Sequence, residues 1–166
     1  MAEILFVGEY CGFMGGIERY MTRAAYLLSL HGHHVSGLSF RESSDARLYA
    51  SSFKKMFSFG KLLREQPKFD LVVVHKIPSA KYLRELKKRY KVVMFIHDHE
   101  YYCPRKAYYH PFTRKNCSFA YSYPLCTLCS SLKRLCGLNE PPFNLGIPFR
   151  QLWGEVKKCD HFIVIS

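Results

Sequence analysis

The sequence predicts an α/β fold built on a parallel sheet. Three observations carry that reading. The apolar runs Ile4–Val7, Leu71–Val74 and Val92–Ile96 are continuous rather than alternating, as strands buried on both faces require. Segments of helical period separate them. The connections are short, which favours right-handed crossovers between parallel neighbours.

Taken in order, Glu3–Gly8 is the first expected strand and Glu9–Gly16 a glycine-bearing loop. Ile17, Tyr20, Met21, Ala24 and Leu28 recur on one helical face, and that helix stops near Gly32. Val35–Phe40 is the second strand. Ser43-Ser44-Asp45 offers a cap for a helix whose apolar positions are Leu48, Phe53, Phe57 and Leu62. Phe69–His75 is the third strand, Ala80–Tyr90 a short basic helix after Pro78-Ser79, and Lys91–Ile96 the fourth strand. The alternation stops at His97. From Asp98 to Leu125 the chain is rich in Tyr, Cys, Pro and basic residues and has no clean period; a stretch of that length is usually functional or held by something other than a core. Thr127–Leu135 reads as a short helix, Gly137–Pro148 as a connector broken by prolines, Phe149–Lys158 as a helix, and Cys159–Ser166 as a fifth strand. The expected architecture is therefore one Rossmann-like domain, a parallel sheet with flanking helices, carrying a Cys-rich irregular insertion over 98–136.

A chain of 166 residues suffices for one domain with a proper core. Its apolar runs are far too short to span a bilayer, and the start, Met1-Ala2-Glu3-Ile4, does not read as a signal peptide. A cytoplasmic location follows as the expectation. Lys and Arg number 25 against 13 Asp and Glu, a net charge of +12, which favours anionic partners without choosing among them. Seven cysteines without an export signal point to reduced thiols or metal ligands rather than a disulfide framework.

Four clusters carry candidate chemistry. Gly12, Gly15 and Gly16 lie between the first strand and first helix, where backbone can approach a phosphate, although the spacing is neither a dinucleotide fingerprint nor a P-loop. A tight structural turn explains the same glycines equally well. Glu18 complements the positive helix end. His97 and Asp98 close the fourth strand, where sites of open α/β sheets lie, and His99 and Glu100 follow them. A capped strand end with a solvated acidic turn is the plain alternative. Cys103, Cys117, Cys126 and Cys129 could close a structural zinc site, or be buried thiols. Arg105 and Lys106 stand beside Tyr101 and Tyr102, a mixture suited to sugar rings, a headgroup layer or single-stranded nucleic acid, while Lys81, Arg84, Lys87 and Lys88 read as a solvated helix face.

Gly15-Gly16-Ile17-Glu18 after the first strand, His97-Asp98 after the fourth, Cys103-Pro104-Arg105 with later cysteines, and the closing Cys159–Ser166 together resemble the amino-terminal domain of group 1, family 4 retaining glycosyltransferases of the GT-B fold. The resemblance spans nearly the whole chain. It implies hexosyl transfer from a nucleotide-sugar to a glycan or lipid-linked acceptor, as in cell-envelope polysaccharide synthesis. It further implies that this half binds the acceptor, that Gly15 and Gly16 approach the donor diphosphate, and that His97 contacts the transferred sugar. Arg105, Lys106, Tyr101 and Tyr102 would face the acceptor or an anionic membrane at its inner face. No cofactor would be needed for the chemistry. The carboxy-terminal nucleotide-binding half of such enzymes is absent from these residues, so the chain alone is expected to be inactive. The competing expectation is a metal-stabilised, non-catalytic module for nucleic acid or another polyanion; the transferase reading expects no nucleic acid.

Overall fold

The computed structural model describes residues 1–97, 101, 103, 117, 122, 124–126, 128 and 147–164. The chain forms two compact units, residues 1–97 with 159–166, and residues 98–158.

In the first unit the chain runs through β1 (Glu3–Val7), β2 (Tyr10–Cys11), α1 (Gly16–Leu30), β3 (His34–Ser39), β4 (Arg41–Glu42) and α2 (Ala46–Ala50). It continues through β5 (Met56–Ser58), α3 (Phe59–Glu65), β6 (Leu71–Val74), α4 (Ala80–Lys87), β7 (Val92–Ile96) and β8 (His161–Val164). Six strands form one sheet in the order β5-β3-β1-β6-β7-β8, and every pairing is parallel. This is the Rossmann-like α/β architecture that the continuous apolar runs predict.

The inner strands β3, β1, β6 and β7 are buried on both faces. On one, Ile4, Phe6, Val35, Val73 and Phe95 pack with Met21 and Ala25 of α1 and Tyr49 of α2. The alternate residues Leu5, Val7, Val72, Val74 and Met94 have no exposed surface. Each such side chain contributes about 1.5–3 kcal/mol by leaving water. Right-handed crossovers place α4, which buries Ala80, Leu83 and Leu86, on the face opposite α1. The other side of α4 is the charged face the sequence suggests, with Glu85 held to Lys88 and Arg89 at 2.6 and 2.9 Å.

The second unit contains α5 (Ile147–Val156) and a helical turn over residues 124–126. Lys157 sits over the Trp153 ring at 5.3 Å. Among the described residues no helix is long and apolar enough to cross a membrane.

Several expectations need correction. The single helix reading Leu48, Phe53, Phe57 and Leu62 as one face is instead α2, β5 and α3. Phe57 enters the core from a three-residue edge strand paired with β3, and Ser58 then caps α3 by accepting from the Lys61 amide at 3.4 Å. Asp45 lies at the head of α2 yet makes no side-chain cap there; its Oδ2 accepts from the Phe13 amide at 3.1 Å. Pro148 does not break the chain into α5 but stands in its first turn, where a missing N–H costs nothing. The basic helix ends at Lys87, short of Tyr90, and the last strand begins at His161, after Cys159. Thr127–Leu135 falls mostly outside the described residues.

The loop after β1 is fastened to the segment after β3. β2 and β4 pair in parallel, Tyr10 with Arg41 and Cys11 with Glu42. Ser43 Oγ donates to the Cys11 carbonyl at 3.2 Å and also bonds Asp45. Gly12 has φ +146°, and a Cβ there would collide with the Ser43 hydroxyl. Backbone strain of that kind costs about 1–3 kcal/mol before any clash. Gly12→Ala is therefore expected to lower the unfolding free energy by about 2 kcal/mol or more, measured by chemical denaturation. A change within experimental error would remove this loop from the list of fixed parts.

Candidate functional site

Because all six strands are parallel, their carboxyl ends share one rim. Strand order reverses direction between β1 and β6, so the helices that follow these two strands leave on opposite faces and open a crevice there. The backbone closes this junction tightly: the amides of His75 and Lys76 both donate to the Val7 carbonyl, at 2.9 and 3.2 Å. Above it Glu9, just past β1, lies 3.8 Å from Lys76 and 3.7 Å from Arg41.

Two histidines meet at this rim. His75 directly follows β6 and His97 directly follows β7, and His75 Nδ1 lies 2.7 Å from His97 Nε2. One nitrogen donates and the other accepts. Phe95 stacks on both imidazoles at 5.0 and 4.5 Å, and Tyr20 of α1 tilts over Phe95 and His97 at 5.0 and 5.1 Å. Phe6 meets His75 edge-on at 4.9 Å. His75 is 1% exposed, and burial, aided by the nearby His97, pushes its pKa down to about 3. It is neutral at physiological pH. His97 is half-buried at the rim.

The glycine turn lies on the same rim. Gly15 and Gly16 are exposed; Gly15 is the N-cap and Gly16 the first residue of α1, whose first turn has no side-chain cap. Tyr20, one turn further on, meets the His97 ring edge-on at this crevice. Two recesses flank it. A groove of about 360 Å³ runs along the sheet face from His75, between α1 residues such as Ala24 and Leu28 and the strand residues Phe6, Val73 and Phe95. A second of about 380 Å³ lies past β3 and β5, lined by Ser39, Arg41, Glu42 and Ser58 with the buried Cys11 thiol, whose pKa burial pushes up.

No family model matches the chain, and no curated protein matches it in sequence. Among solved structures it is similar to MT0777, with a TM-score of 0.52 over 99% of this chain and 86% of that one, at 11% identity. At that identity the likeness is one of fold.

Of the residues the sequence singles out, His97, Gly15 and Gly16 each follow the carboxyl end of a parallel strand, on the same rim of the sheet. Asp98, His99, Glu100, Tyr102, Arg105, Lys106 and Cys129 lie outside the described residues. Tyr101 is buried rather than displayed. Cys103, Cys117 and Cys126 are half-buried. Among the described residues no three of His, Cys, Asp and Glu gather as metal ligands, so these three thiols do not by themselves build the expected zinc centre. Sequence reasoning passed over His75 and Tyr20. The signal for His75 was present: like His97, it ends a strand of unbroken apolar residues.

A histidine kept neutral by the fold takes up a proton in the unfolded chain near pH 6.5 but in the native state only near 3. Its contribution to stability is complete above pH 6.5 and is lost as pH falls. Asp45, Glu65 and Glu85, whose pKa values are lowered by Ser43, Lys55 and Lys88 respectively, act in the same direction below the ordinary carboxylate range. Between pH 4.5 and 6.5 the unfolding free energy is thus expected to rise with pH at a slope approaching about 1.4 kcal/mol per unit. His75→Phe, which keeps the ring packing, should flatten that slope. Denaturation curves across this range with equal slopes in both proteins would show that His75 titrates normally.

Proposed function

We propose that this chain is the acceptor-side half of a retaining glycosyltransferase, moving a sugar from a nucleotide-sugar to a glycan or lipid-linked acceptor. The observation that carries the reading is the placement of His97 and the open Gly15–Gly16 turn on one rim, at the reversal point of a parallel sheet and joined through Tyr20. That is the arrangement the resemblance calls for. A nucleotide-sugar half beyond Ser166 would close the crevice over the donor.

In this reading the rim holds the sugar and its leaving group, and the protein's own groups position rather than attack. His75, buried and neutral, fixes the ring plane of His97 through the 2.7 Å contact. His97 then faces a hydroxyl of the transferred sugar beside the reacting carbon. The Phe95 stack prevents the imidazole from swinging away. The apolar groove beginning at His75 favours an acceptor with an apolar portion, hence a lipid-linked one. Such an acceptor would bring the enzyme to the inner face of a membrane, where a net charge of +12 favours peripheral contact.

The test uses the full-length protein and release of nucleoside diphosphate from a panel of nucleotide-sugars. One donor is expected to turn over. His97→Ala should reduce that turnover by roughly 100-fold or more while thermal unfolding stays cooperative. Transfer at nearly the wild-type rate by this variant would remove His97 from the chemistry.

A further inference from the structure

A surface helix ordinarily buries its large apolar residues and shows water its polar ones. The helix α1 departs from that rule. It buries Met21, Ala25 and its one acidic residue, Glu18. It leaves Tyr20, Tyr26, Leu27 and Leu30 at 39, 51, 43 and 64% exposure. At the α-helical repeat these four, with the exposed Arg19 and Arg23, fall within one arc of little more than a third of the helix circumference.

The charges of this face carry one sign. With Glu18 buried, α1 shows water no carboxylate. Arg19 and Arg23 make no ion pair among the described residues; their guanidiniums lie over the rings of Phe13 and Tyr26, at 6.0 and 5.5 Å. The hydroxyls of Thr22 and Ser29 turn back on the helix and donate to the carbonyls of Arg19 and Tyr26 at 3.0 and 2.7 Å. Their donors are thus satisfied without water. The apolar arc also runs into the groove along the sheet, because Tyr20 and Leu27 line it together with Ile163 of β8.

We propose that this face of α1 lies on an anionic bilayer, its tyrosines and leucines entering the headgroup layer and its two guanidiniums meeting lipid phosphates. Large apolar side chains interleaved with unpaired arginines match a layer that is negative at its surface and apolar beneath. A second copy of this chain fits less well: a two-fold contact through this face would set arginine against arginine in a chain that already carries +12. A nucleic acid would satisfy the arginines and leave Leu27 and Leu30 in water. The surface deepens the sugar-transfer reading, and rests on it for the membrane as the place where the acceptor is met.

The experiment is co-sedimentation of the protein with vesicles of phosphatidylcholine alone and of phosphatidylcholine with about one-third phosphatidylglycerol. The anionic vesicles should bind it at least about tenfold more tightly, and added salt should weaken the binding. Arg19→Gln with Arg23→Gln, and separately Leu27→Gln with Leu30→Gln, should each weaken it by about tenfold or more. Lys81→Gln with Lys87→Gln removes the same charge from α4 and should change it by less than about threefold. The wild-type comparison of the two vesicles, and its salt dependence, decide the matter if a variant does not fold. The proposal is overturned if the protein binds neither vesicle or both alike, or if the α4 pair costs as much as the α1 arginines. It is equally overturned if the leucine substitutions dissolve a dimer without affecting vesicle binding, or if the arginine pair weakens a single-stranded oligonucleotide and not the vesicles. Vesicle binding through α1 in a protein that turns over no donor would overturn the transferase reading and leave this surface standing. Donor turnover without vesicle binding would do the reverse.

Discussion

The pairing of β1 with β6 holds the molecule's two halves of sheet in register. Ile4 to Val7 lie against Leu71 to Val74, residue for residue, with β3 and β5 on one side and β7 and β8 on the other. These residues are almost wholly buried, so the junction has little freedom to slip; a shift of one residue would turn every core side chain to the wrong face. The same junction is where the strand order changes direction. The crevice on the rim is therefore a product of the core pairing, and the groups around it inherit its rigidity.

That rigidity reaches the site through rings. His97 does not project from a loose loop; it stacks on Phe95, bonds to His75 and lies under Tyr20. A polar group held on three sides by packed aromatics keeps its orientation without help from a ligand, which is what a positioning role demands. The glycine loop on the other bank is stiffened differently. Gly12 lets Ser43 and Asp45 approach, and their hydrogen bonds fasten the loop before it reaches Gly15 and Gly16. Gly12 thus serves the fold.

Much of the sheet could be read in the sequence because a strand buried on both faces leaves a run of apolar residues that no surface segment imitates. Leu71–Val74 and Val92–Ile96 are such runs. β5 could not be read so: Met56, Phe57 and Ser58 are too few to show a period, and Phe57 falls at helical spacing from Phe53 and Leu62 by coincidence. His97 was legible by its position after an apolar run. Its partnership with His75 was not, because 22 residues separate them in the chain and only the pairing of β6 with β7 makes them neighbours. Glu18 was legible as a carboxylate at a helix start; its burial was not, since nothing in a first-turn position says which way the side chain will fold.

The sheet closes on one side with a strand unlike the rest. All four residues of β8 are exposed, among them Phe162, Ile163 and Val164 at 47, 44 and 64%. An outermost strand that is both oily and open along its backbone is a ready template for another chain. Protein prepared from these 166 residues should accordingly tend to self-associate as its concentration rises, and a lysine placed at Ile163 is the natural way to keep it dispersed.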